Sequence, residues 1–141
     1  MTSRLRTALS IATVGVTMVA LDLVWVGGVA KSVYDKLGPL KRDAPSLPAA
    51  GLFYAMYCTA TFLHAVRPSP TVGAAAMRGA GIGLVAYATY ELTNAAVIRD
   101  WPPALVPVDT LWGVVLSAAA ASAGRAVLGS GVVERVTRAP R

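Results

Sequence analysis

Four stretches of this 141-residue chain are each long and apolar enough to cross a bilayer, and little sequence is left over. A bilayer core takes about 20 mainly apolar residues of helix. The first stretch runs from about Ala8 to Ala30, after Arg4 and Arg6. The second runs from about Leu47 to Val66, bounded by Pro48 and by Arg67-Pro68. The third runs from Gly79 to Ile98, between Arg78 and Arg99-Asp100, and the fourth from about Pro103 to Gly124, stopping at Arg125. The expected fold is all-α: an integral membrane four-helix bundle forming a single domain over residues 1–141. A loop is expected over 31–46 and a basic tail over 125–141.

Composition agrees. Hydrophobic residues make up 55% of the chain and charged residues 14%, with a mean hydropathy of +0.58. A soluble domain carries about a quarter charged residues, so this chain cannot clothe a water-facing surface. An ordinary cytosolic enzyme, a disordered tail and a nucleic-acid module are excluded. The 13 Lys and Arg exceed the 7 Asp and Glu, yet they sit between apolar blocks and at the ends, where membrane topology also puts them. The first stretch has the basic start of a signal peptide, and Gly28-Val29-Ala30 resembles a cleavage site. Asp22 and the length of the apolar run argue against cleavage.

Orientation follows from Lys and Arg in short loops. Arg4, Arg6, Arg67, Arg78, Arg125, Arg135, Arg138 and Arg141 fall on one side, and Lys31, Lys36, Lys41, Arg42 and Arg99 on the other. That bias puts both termini in the cytoplasm, in what is expected to be a bacterial cytoplasmic membrane. Tyr34, Leu37, Gly38 and Leu40 give the longest connection an amphipathic character suited to the interface. The tail after Gly129 reads as a solvated basic segment near anionic headgroups. Gly79 and Gly83 form a small-xxx-small pair that lets helices approach closely in lipid; with Gly81 they lack the spacing of a nucleotide loop. Cys58 stands alone in an apolar run, which points to a buried, unreactive thiol. No disulfide or Cys-based zinc site fits, and no metal is expected.

The informative residues are acids inside the apolar stretches: Asp22, Glu91 and Asp109. An ionisable group at membrane depth costs at least ~2.5 kcal/mol, so each asks for a reason. At ~1.5 Å per residue, Asp22 lies ~5 Å beyond its helix midpoint, Glu91 ~4 Å and Asp109 ~8 Å. All three offsets point to one leaflet, so the acids are expected to share a pocket. Tyr87, Glu91 and Asn94 fall on one helical face, with Tyr90 and Thr93 beside it. Trp25 and Trp112 each stand one turn beyond an aspartate. The repeated Asp-x-x-Trp hints at inverted-repeat ancestry. Thr110 and Tyr54 or Tyr57 are further hydroxyl candidates. Like charges in low dielectric resist ionising together, so at least one carboxyl is expected to hold a proton. His64 falls near the opposite end of the second helix, away from the acids. Trp101-Pro102-Pro103 reads as an interfacial aromatic anchor and a stiff helix start. Arg99-Asp100 reads as a loop ion pair worth little.

Asp22-x-x-Trp25-x-Gly27, Tyr34, Leu37-Gly38, Tyr87-x-x-Tyr90-Glu91-Leu92-Thr93-Asn94, Trp101-Pro102 and Val108-Asp109-x-x-Trp112-Gly113 together resemble a bacterial family of small predicted membrane proteins. That family is known only as a domain of unknown function, DUF 2177. The resemblance spans nearly the whole chain. It implies a four-helix membrane fold and treats the acids as a set, but supplies no activity and no cofactor. Members carry aspartate where this chain has Glu91, whose extra methylene argues against a strict metal geometry.

Three functions compete. Asp22, Trp25, Tyr87, Tyr90, Glu91, Thr93, Asn94, Asp109 and Trp112 could line a pocket that binds a proton, a cation or a polar or lipid head group. Transport by so small a chain would require a homo-oligomer or a larger membrane complex. Alternatively, the carboxyls could be acid and base of an intramembrane lipid- or isoprenoid-modifying enzyme, with Trp25 and Trp112 stabilising a carbocation. In the third reading the chain is an accessory subunit and the acids are internal glue.

Overall fold

The computed structural model describes residues 3–35, 42 and 44–129. Helix α1 spans Ser3–Val24 and continues through a π turn over Trp25–Val29; a four-residue helix α2 follows at Lys31–Tyr34. Helix α3 covers Leu47–Thr61 and ends in a second π turn, Phe62–Val66. Helices α4 and α5 occupy Val72–Val97 and Leu105–Gly129. Among the described residues there is no strand. Lipid offers the backbone no hydrogen bonds, so a spanning segment satisfies its N–H and C=O groups by coiling.

The expected boundaries shift in several places, among them the start of α1 at Ser3 rather than Ala8. Helix α4 begins at Val72 rather than Gly79, because Thr71 accepts the Ala74 N–H at 3.1 Å and caps the start before Arg78. Helix α5 runs on to Gly129, past Arg125, whose Nη2 bonds the Pro70 carbonyl at 2.9 Å instead of ending the helix. Helix α2 occupies the start of the expected loop. Leu37, Gly38, Leu40, Lys36, Lys41 and the basic tail beyond Gly129 lie outside the described residues.

Ser3–Gly28, Leu47–Val66 and Leu105–Gly129 are long and apolar enough to cross a membrane. Helix α4, at 26 residues, is long enough but does not reach the same apolar standard. Arg78, Glu91, Asn94 and its tyrosines lower its hydropathy; of these Glu91 is buried in the bundle, while Arg78 is exposed. The outer faces carry Val16, Leu23, Leu52, Met56, Met77, Val85 and Val97, all exposed, as expected where the surrounding solvent is hydrocarbon.

Helix α5 is the centre of the bundle, packed along α4 on one side and α1 on the other, while α3 joins through its C-terminal half. Small residues set the α4–α5 seam. A Cβ added at Gly83 would collide with the Gly113 carbonyl, and one at Gly79 would meet the Ser117 carbonyl and stand 2.8 Å from the Ala121 methyl. The expected small-xxx-small contact is therefore a backbone-to-backbone approach. On the α1 side, Ser10 Oγ donates to the Gly124 carbonyl at 2.7 Å. Cys58 is buried, with its Sγ 3.7 Å from Met18 Sδ.

Candidate functional site

Helices α1 and α5 run antiparallel, which brings the two Asp-x-x-Trp segments face to face in opposite directions. Each aspartate takes its indole donor from the other helix. Trp25 Nε1 donates to Asp109 Oδ1 at 2.9 Å, and Trp112 Nε1 donates to Asp22 Oδ1 at 3.2 Å. The two rings stack between the acids, centroids 4.6 Å apart and planes 4° from parallel. Trp25 opens the π turn of α1, where the Ala30 N–H reaches back to the Trp25 carbonyl at 2.8 Å; such turns often mark functional positions.

Asp22 has further donors. Tyr54 Oη of α3 reaches its Oδ2 at 3.0 Å, and Tyr87 Oη of α4 lies 3.5 Å from its Oδ1. Three X–H donors from three different helices thus converge on this one carboxylate. Tyr87 is admitted by Gly113, since a Cβ there would overlap the tyrosine ring. Its neighbour Tyr57 bonds Ser117 Oγ at 2.8 Å, and Ser117 uses its own proton on the Gly113 carbonyl at 2.7 Å.

Glu91 is 0% exposed. Its Oε2 accepts from Trp101 Nε1 at 2.9 Å, and its Oε1 has no hydrogen-bond partner. The Glu91 and Asp109 carboxyls are close enough to interact directly. Two carboxyls can bond only if one of them carries a proton. All three tryptophans of the chain thus donate to its three intramembrane acids.

Asp109 also faces open space. A cleft of about 240 Å³ between α3 and α4 is lined by Phe53, Ala86, Tyr87, Tyr90 and Asp109. Tyr90 is 51% exposed at its mouth. Trp25 and Trp112 cover each other's faces and take no part in this wall.

The family profile described as a predicted membrane protein, DUF2177, matches residues 7–126. The chain belongs to that family. No match was found among curated proteins or solved structures.

In this DUF2177 chain, hydrogen bonds join Asp22 to Tyr87 and Trp112 and join Trp25 to Asp109, the Trp25–Trp112 stack links the two groups, and Glu91 lies beside Asp109. Tyr90 and Asn94 lie next to each other at the edge of this cluster. Thr93 is exposed and takes no part. Trp101 corrects the sequence expectation: it is 7% exposed and folds back on Glu91 instead of anchoring at the interface. The turn before it carries Asp100 at φ 62°, a left-handed residue that reverses the chain. Arg99 and Asp100 are exposed and not paired with each other. Phe53 and Tyr54 supply the cleft wall and the Asp22 donor from α3. Tyr54 was one of two open hydroxyl candidates; Phe53 gave no sequence signal, being one apolar residue among many. Among the described residues no group of three His, Cys, Asp or Glu side chains could hold a metal ion. His64 lies beside Arg78, apart from the acids.

Proposed function

We propose that this membrane protein binds a cation, either a proton or a compact organic ammonium, at the Asp109–Glu91 carboxyl pair. One observation carries the reading: Asp109 belongs at once to the carboxyl pair and to the wall of an aromatic cleft. Phe53, Tyr87 and Tyr90 offer ring faces to a cation, whose attraction to a ring strengthens as water is excluded. Asp109 supplies the counter-charge. An ammonium entering the cleft displaces the proton held between the carboxyls, so the site exchanges one positive charge for another. The unpartnered Glu91 Oε1 supports this, because a fully buried oxygen without a donor is where that proton can sit until the ammonium displaces it. Asp22, with its three donors, ties α1 to α3, α4 and α5.

The protein is read as residing in a bacterial cytoplasmic membrane with both termini inside, as its loop charges suggest. Translocating the cation would need a second copy or a larger complex, since four helices are too few to enclose a path. A purely structural role is the rival reading, favoured by the crosswise Trp–Asp bonds that tie α1 to α5. Calorimetric titration of the purified protein with tetramethylammonium separates the two. Saturable binding that Asp109→Asn abolishes, with unfolding temperature retained, supports the cation site. No binding in the wild-type protein, or binding that survives Asp109→Asn, leaves the acids as glue.

A further inference from the structure

At the other end of the bundle lies a second, larger cavity of about 630 Å³. It runs between the end of α3 and the first half of α4, lined by Tyr57, Ala60, His64, Arg78, Gly81, Ile82, Val85 and Ala86. Its chemistry is graded. His64 and Arg78 form one end, and apolar side chains and the bare Gly81 backbone form the rest. A Cβ at Gly81 would meet nothing within 4 Å, so the floor is open. Arg78 is exposed, with no hydrogen bond or ion pair among the described residues. It stands ~9 Å along α4 from the helix start, a depth at which a guanidinium reaches a headgroup phosphate. Arg67 and Arg125 belong to the same end. The described acids Asp22, Asp35, Glu91, Asp100 and Asp109 all belong to the opposite half, so among the described residues no acid neutralises the basic groups here. From Arg78 to Ala86 the wall extends ~12 Å, enough for much of an acyl chain.

We propose that this groove seats one acyl chain of an anionic phospholipid whose phosphate is held by Arg78 and His64. Arg78 gives the two-pronged donor geometry that phosphate oxygens accept, and His64 adds a ring N–H from the facing helix. The site is separate from the carboxyl pair and stands or falls independently of it. The test uses the full chain in mixed micelles containing either dioleoyl phosphatidylglycerol or dioleoyl phosphatidylcholine, with retained lipids counted by native mass spectrometry. The wild-type protein should retain one phosphatidylglycerol in preference to phosphatidylcholine. Arg78→Gln should lower that retention about fivefold, the equivalent of one basic contact to an anionic headgroup. Gly81→Leu, whose Cβ meets nothing within 4 Å and whose side chain extends into the groove, should remove the lipid while the helices stay folded. Arg67→Gln, an exposed arginine outside the groove, should change nothing. Equal retention of the two lipids, unchanged retention in Arg78→Gln, or an equal loss in Arg67→Gln would overturn the proposal.

Discussion

Trp25 and Trp112 lie ring against ring, 4.6 Å apart, and each gives its N–H to the aspartate that precedes the other. The exchange makes one unit of two helices that run in opposite directions. It also explains why the Asp-x-x-Trp spacing occurs twice: under an approximate two-fold relation, an acid and an indole one turn apart on each strand place donor opposite acceptor. Replacing either indole by Phe keeps a stacked ring and removes one bond. Trp25→Phe and Trp112→Phe should each lower stability by about 1 kcal/mol in detergent unfolding, within the range for hydrogen bonds between membrane helices. In double-mutant cycles, Trp25→Phe should couple to Asp109→Asn and far less to Asp22→Asn, its neighbour on the same helix. The opposite ranking would refute the crosswise pairing.

The α4–α5 seam makes two glycines on one helix behave in opposite ways. Gly83→Ala drives a methyl into the Gly113 carbonyl, where backbone cannot yield, and should cost about 2 kcal/mol or more. Gly81→Ala meets open space and should be neutral or gain up to about 1 kcal/mol from helix propensity. Thermal unfolding of the two variants side by side measures this, and equal effects would contradict the close backbone approach.

Among the described residues, Trp101 is the one that donates an N–H to Glu91. Trp101→Phe should cost about 1–3 kcal/mol, because both oxygens of a buried carboxyl then lack an N–H or O–H donor apart from any proton shared with Asp109. Adding Glu91→Met should recover much of the loss, since removing both partners leaves nothing unsatisfied. If the double variant is no more stable than Trp101→Phe, the bond contributes little and Trp101 acts through packing alone.

Much of this architecture could be read from the sequence. Hydropathy located the helices, and counting residues along them placed Asp22, Glu91 and Asp109 at a common depth, because helix rise is uniform and lipid sets a fixed thickness. The small-residue pair at Gly79 and Gly83 marked the closest seam for the same reason. Rotation and chain reversal were harder to see. Trp101 looked like an interfacial anchor because its proximity to Glu91 depends on the left-handed turn at Asp100, which no periodicity encodes. Phe53 was hidden because an aromatic residue in an apolar helix looks the same whether it faces lipid or a cleft. Helix α4 shows the limit of hydropathy: Glu91 is buried against the bundle while Leu84, Val85, Leu92 and Val97 are exposed, so its average underestimates how apolar much of its outer face is.

The central claim is that a cation entering the cleft replaces a proton on the Asp109–Glu91 pair. Calorimetric titration with tetramethylammonium in several buffers of different ionisation enthalpy counts protons released on binding. Exchange at one shared proton predicts release of about one proton per ammonium bound, with affinity rising up to about tenfold per pH unit while the pair is protonated. Glu91→Gln should bring the release close to zero. Binding with no proton released from the wild-type protein, at every pH tried, would contradict the account.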